Sequence, residues 1–231
     1  IDKSLGDLMD HVVYKGVAEN TLILFVGDNG SDGPLGDTYG YFSSAPLRGK
    51  KGTCYEGGMR VPFIASWAKA GKANPFKIAC NLLHHEQIGT VMDIYSTIVD
   101  ASNSSSPAKH SVDGVSLLPQ LSGKINEERS DHFMCHFPHS HRSSYFTSFR
   151  KGDWKLIYRY LTSAGKGKSK QPLPKHELYN LKNDPYETKN LALGNSRKTN
   201  EMVRLMIEQL ERENALFPVR DDLELRPQLI K

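Results

Sequence analysis

The sequence predicts an α/β fold followed by a smaller α+β subdomain, and three observations predict it. An amphipathic segment at 2–16 runs into a continuous apolar strand at 21–26. That strand stops at Gly27-Asp28-Asn29-Gly30, a polar cluster at a strand end. Beyond residue 131, short strand patterns lead into one more amphipathic helix.

In the first helix, Leu5, Leu8, Met9, Val12 and Val13 recur at helical spacing, and Gly16 is its expected stop. Thr21-Leu-Ile-Leu-Phe-Val26 lacks alternation, so both faces are expected to be buried, as in a central parallel strand. A helix followed by such a strand is half of an α/β repeat. Polar residues at the carboxyl end of a parallel strand sit where open α/β sheets place their sites. Residues 30–60 read as a long Gly- and Ser-rich loop, and Val61–Trp67 reads as the next strand. A second helix is expected over 87–100, with Val91, Ile94, Tyr95, Ile98 and Val99 on one face. Charged residues 125–131 mark a boundary, giving domains 1–125 and 126–231. The second domain is read as strands at 132–137, 145–150 and 154–160, a lysine-rich loop at 162–175, and a helix around Met202–Leu210.

Composition narrows the function classes. With 24% charged and 38% hydrophobic residues the chain is an ordinary globular protein. No run approaches the ~20 apolar residues that a membrane span needs. The net charge of +4 comes without a nucleic-acid-binding motif, so nucleic acid is not an expected partner. Cys54, Cys80 and Cys135 fit no zinc spacing and allow one disulfide at most. The chain opens at Ile1 with no basic, apolar leader, which suggests a processed or partial chain.

Two segments carry candidate chemistry. Asp28 and Asn29 offer hard oxygen donors suited to Ca²⁺ or Mg²⁺, although Asp-Asn-Gly is also an ordinary turn. Two ligands are too few for Ca²⁺, which takes about 6–8 oxygens. The second segment is Pro46-Leu-Arg-Gly-Lys-Lys-Gly-Thr-Cys-Tyr-Glu-Gly-Gly-Met-Arg-Val-Pro62. Its glycines permit close backbone approach, and Arg48, Lys50, Lys51 and Arg60 supply positive charge for an oxyanion. A solvated basic loop is the competing reading.

The Asp-Asn-Gly strand end, with this segment about twenty residues on, resembles the formylglycine-dependent (type I) sulfatases of the alkaline phosphatase superfamily. Val91-Met-Asp-Ile-Tyr-Ser-Thr-Ile-Val99, Val112-Asp-Gly-Val-Ser-Leu-Leu-Pro-Gln-Leu121 and Glu177-Leu-Tyr-Asn-Leu-Lys-Asn-Asp-Pro-Tyr-Glu187 resemble later segments of that family, in its order. The resemblance implies the C-terminal half of the family's fold: part of a mixed or parallel sheet flanked by helices, then an α+β subdomain with an antiparallel sheet and a helix. It implies hydrolysis of a sulfuric ester, that of a sulfated carbohydrate ahead of an aryl sulfate. Asp28 and Asn29 match ligands of the family's divalent cation, usually Ca²⁺, with Mg²⁺ as the alternative. Lys51 matches the lysine that contacts sulfate, and Lys50 is the adjacent alternative. Tyr55 and Glu56 read as structural, with Glu56 pairing Arg48 or Arg60.

His136, His139 and Arg142 resemble a substrate-facing segment of polysaccharide-directed sulfatases, against which stands an ordinary polar strand end. The family's formylglycine lies in its N-terminal half, in a Cys/Ser-x-Pro-Ser/Ala-Arg motif that this sequence lacks. Ser44-Ala-Pro-Leu-Arg48 has a similar outline but carries Leu47 at the small-residue place. The expected partner is therefore the missing N-terminal half. The chain alone is expected to be inactive and to associate through an exposed sheet edge. The resemblance suggests a periplasmic or secreted bacterial protein. A phosphodiesterase or phosphonate hydrolase of the same superfamily, and a non-catalytic glycan-binding remnant, are the alternatives.

Overall fold

The computed structural model describes residues 1–32, 44–80, 87–107, 109–139, 144–164 and 171–230. The chain divides into two units: residues 1–28 with 61–130, and residues 29–60 with 131–231. The second boundary falls inside the charged stretch 125–131. The first does not follow the sequence-based division, because the loop 29–60 groups with the C-terminal strands.

In unit 1, helix α1 (Asp2–Tyr14) ends where Gly16 takes φ +72, the left-handed conformation that releases a helix C-terminus. Strand β1 (Leu22–Val26) pairs antiparallel with β2 (Phe63–Trp67), Leu22 opposite Trp67 and Val26 opposite Phe63. The expectation of parallel pairing for β1 is therefore not what the described residues form. A continuous apolar run indicates burial on both faces, but the direction of its neighbour is fixed by the connecting chain. All five β1 residues are half-buried. An apolar groove of about 460 Å³ lies along them, lined by Ile1, Leu5, Met9, Ile23, Phe25 and Ile64.

Helix α3 (Asp93–Ala101) inverts the expected burial. Val91, Tyr95 and Ile98 of the expected apolar face are exposed, whereas Asp93 and Thr97 are buried. Asp93 is a hub: its carboxylate accepts the Thr90 and Val115 backbone N–H groups and pairs with Arg129 at 2.8 Å. Asp93, the first residue of the helix, thereby ties the preceding turn to residues 115 and 129. The short helix α4 (Leu118–Leu121) follows. No helix is long and apolar enough to cross a membrane among the described residues.

Unit 2 contains the short helix α2 (Glu56–Met59) and an antiparallel meander of β3 (His132–Phe137), β4 (Phe146–Lys151), β5 (Trp154–Arg159) and β8 (His176–Asn180). The two-residue strands β6 (Ser163–Ala164) and β7 (Gln171–Pro172) pair between β5 and β8. Helix α5 (Ser196–Arg212) starts at Asn195, whose side chain accepts the Lys198 N–H. It buries Met202, Val203, Met206 and Leu210 on one stripe.

Alternation along the strands divides unit 2 into two cores. Leu156 and Tyr158 of β5, Phe149 of β4 and Leu178 of β8 pack with α5. Ile157, Phe146 and Tyr179 point the other way and pack with Cys54 and Tyr55 of the long loop. The sheet is thus covered on both faces, by a helix on one and by the loop on the other.

Candidate functional site

The loop 44–60 is built on glycines that let backbone meet backbone. A Cβ on Gly30 would lie 2.3 Å from the Gly57 carbonyl oxygen, and one on Gly58 would lie 2.5 Å from the Lys50 and Thr53 carbonyl oxygens. Such approaches admit no larger residue. Gly49, at φ +84, turns the chain and leaves Thr53 Oγ1 where a Cβ would go. Thr53 Oγ1 donates to the Lys50 carbonyl and accepts the Lys50 N–H, closing the loop on itself.

Two backbone bonds then join this loop to the residues after β1. The Gly30 N–H donates to the Gly58 carbonyl at 3.1 Å, and the Lys51 N–H donates to the Ser31 carbonyl at 2.9 Å. Asn29 and Lys51, twenty-two positions apart, therefore belong to one loop cluster. Asn29 Nδ2 donates to the Gly30 carbonyl at 3.2 Å, and its amide oxygen accepts no hydrogen bond among the described residues. Lys51 is half-buried, and its ammonium has no hydrogen bond or ion pair among the described residues. Asp28 is exposed just beyond β1, and its carboxylate likewise has no partner among them.

Beneath the loop lies an ionic network of which the sequence announced only the pairing of Glu56 with a nearby arginine. Glu56 accepts from Arg60 at 2.5 Å and from Lys155 at 2.7 Å. Lys155 also pairs with Glu187 at 2.8 Å. Burial opposes the charge on Glu56, but Lys155 and Arg60 outweigh it and hold the carboxyl below its ordinary range. At Glu187 burial prevails over the same lysine and raises the carboxyl. Arg159 pairs with Glu177 and donates to Tyr55 Oη at 3.1 Å and Cys54 Sγ at 3.2 Å. Burial pushes the Cys54 thiol up to about 11, against the pull of Arg159. Arg48 lies 3.8 Å over the Tyr55 ring and donates to Tyr179 Oη and the Glu187 carbonyl. Glu56 thus pairs with Arg60, one of its two expected partners, while Arg48 reaches Glu177 at 3.8 Å instead.

In the histidine segment, His136 is half-buried and His139 is exposed. His136 Nδ1 bonds Thr147 Oγ1 at 2.8 Å and Nε2 bonds the Leu216 carbonyl at 2.7 Å, so both ring nitrogens are used internally. By strand alternation His136 lies with Met134 and Tyr160 on the α5 face, opposite the face that carries the loop. His139 is exposed and its ring lies against Phe137, with centroids 3.9 Å apart and planes tilted by 37°. Arg142 lies outside the described residues. Ser44, the serine of the outline resembling a nucleophile motif, donates its hydroxyl to the Gly57 carbonyl at 3.1 Å.

Asp28 and Asn29 fit a hard divalent cation in donor chemistry, with one carboxylate and one amide oxygen left available. No group of three or more His, Cys, Asp or Glu side chains that could hold a metal occurs among the described residues.

The fold has solved counterparts. One, determined with its substrate D-glucosamine-2-N,6-O-disulfate, matches with a TM-score of 0.61 and 24% identity over 92% of this chain and 38% of that one. The architecture is therefore the alkaline-phosphatase-like fold. A family model described as Sulfatase matches residues 1–104. A sulfatase of Formosa agariphila is 32% identical over 78% of this chain and 30% of its own length. Human N-acetylgalactosamine-6-sulfatase is 26% identical over 97% of this chain and 44% of its own length. The chain belongs to the sulfatase family, as a C-terminal portion of it. It spans less than half the length of these curated relatives.

Proposed function

We propose that this chain supplies the lysine and two cation ligands of a sulfuric ester hydrolase acting on a sulfated carbohydrate. The observation that carries the reading is the pair of backbone bonds, Lys51 to Ser31 and Gly30 to Gly58, which joins the lysine loop to Asn29. The names of the human relative and of the substrate in the solved counterpart support the substrate class.

In this reading Lys51 donates to a sulfate oxygen and offsets the charge that grows there as the ester S–O bond breaks. Asp28 and Asn29 would hold a Ca²⁺ ion, or Mg²⁺ in its place, and such an ion would supply Lewis-acid polarisation of the sulfate. The glycine-built turn fixes Lys51 before the substrate arrives, so little reorganisation is left for the reaction. The attacking formylglycine belongs to an N-terminal portion outside these residues, so the chain by itself is inactive. The segment following Phe137, with His139 and Arg142, is the candidate for sugar contacts. A periplasmic or secreted location accords with such a substrate.

The test is sulfate release from an aryl sulfate and from 6-O-sulfated N-acetylhexosamines. It compares this chain alone with one polypeptide joining it to a nucleophile-bearing N-terminal portion. The joined protein should hydrolyse sulfate esters, lose activity to a chelator and regain it with Ca²⁺, while this chain alone stays silent. Preferential hydrolysis of phosphate diesters, or activity indifferent to Lys51→Ala, would defeat the reading.

A further inference from the structure

We infer that Lys155 and Arg159, on the loop-facing side of β5, are positioning residues that hold the Lys51 loop in its working place. The inference rests on the reading of Lys51 given above.

The loop's clamps flank Lys51 on both sides in sequence. Three residues before it, Arg48 reaches Tyr179 Oη and the Glu187 carbonyl at 3.0 and 2.9 Å. After it, Cys54 and Tyr55 receive Arg159, and Glu56 receives Lys155. Glu187 closes the ring: its Oε2 accepts the Glu56 N–H at 2.6 Å while its Oε1 faces Lys155. Glu187 holds a left-handed φ of 55, a conformation a glutamate keeps only where its surroundings impose it. The Lys155, Glu56 and Glu187 side chains are 1%, 6% and 0% exposed.

Stability alone is a weak reason for such an arrangement. Buried ion pairs are often no more stabilising than apolar residues of the same shape. They differ from apolar contacts in accepting one geometry only, since a displaced loop would strand charges without partners. The glycine contacts then transmit that geometry to Lys51, because Gly57 and Gly58 bear directly on the backbone of residues 48–53.

Cys54 reports on the docking without any assay of function, since it is 2% exposed and lies on the face of the loop that packs on the sheet. Its alkylation can be followed by peptide mass spectrometry, separately from Cys80 and Cys135. The comparison is between the full chain, Lys155→Met and Arg48→Met, under conditions where circular dichroism shows each folded. Cys54 should react at least ten-fold faster in Lys155→Met, with exposed Cys80 unchanged. Should that variant fail to fold, Arg48→Met, altered at a part-exposed position, carries the same expectation. Cys54 protection equal to the parent in a folded variant would overturn the inference. In the active joined protein, Lys155→Met should lower kcat, and its effect should largely vanish on a Lys51→Ala background. Fully additive losses would overturn it as well. If the joined protein hydrolyses no sulfate ester, the functional reading fails, and Cys54 reactivity still decides whether the sheet holds the loop.

Discussion

Lys155 and Glu56 are separated by 99 positions in the chain and by 2.7 Å in space. Each is buried, and each has a second partner of opposite charge, Glu187 and Arg60 respectively. Removing one member leaves charge without compensation in a place water does not reach. Lys155→Ala should therefore cost about 3–5 kcal/mol, the range for breaking a buried pair. Adding Glu187→Gln should recover part of that loss. Urea midpoints of the two variants and the parent check both statements.

Gly30 offers a test of the loop junction. A methyl group there would meet backbone oxygen at 2.3 Å, and backbone cannot swing aside as a flexible side chain can. Gly30→Ala should break the bond to Gly58 and separate Asn29 from the Lys51 loop. Ca²⁺-dependent hydrolysis by the joined protein should fall by at least ten-fold, while α5 keeps its helical signal. Unchanged activity would show that the junction does not set the geometry.

Lys50 and Lys51 are adjacent but differently placed. Lys50 is exposed, whereas Lys51 is half-buried beside Ser31. Lys51→Ala should reduce kcat/KM for a sulfate ester by about 10²–10³, as loss of one preorganised donor to a developing charge does. Lys50→Ala should change it by less than about three-fold, on the order of the 0–1 kcal/mol typical of exposed charges. Steady-state kinetics of the two single variants separates them.

Acid should weaken unit 2 through its histidines. Burial lowers His132, His136 and His176 below their ordinary range, with the Leu216 and Gln228 carbonyls opposing it at the latter two. A lowered histidine binds fewer protons in the folded state than in the unfolded state. Its contribution is therefore full above the unfolded value near 6.5 and is lost as pH falls from there through the lowered folded value. The melting temperature should drop between pH 7 and pH 5, and His136→Gln should flatten that slope. A pH-independent melt over that range would contradict the assignment.

The α5 core makes a simpler prediction. Met206 is fully buried against the sheet. Met206→Ala should destabilise by about 2–5 kcal/mol, the cost of the lost methylenes plus the cavity. Thermal or urea unfolding of unit 2 measures it.

The sequence by itself determined the parts of this protein that repeat or punctuate. The strands around 132–137, 145–150 and 154–160, the α5 stripe and the stop at Gly16 were all legible as period and punctuation. The Asp28-Asn29 and 46–62 segments were legible as a resemblance, because residue types at fixed spacing survive without knowledge of neighbours. Tertiary structure alone decided the rest. Lys155 and Arg159 alternate with Leu156 and Tyr158, and a charged alternate face normally means solvent. Here a loop from a hundred residues earlier covers it, and no local pattern encodes that. The same parity turned His136 toward α5, and the direction of β1 depended on which chain came back beside it. Periodicity records how often a side chain is buried along its own element. What buries it is set by long-range docking, where glycine contacts and paired charges select one partner among many.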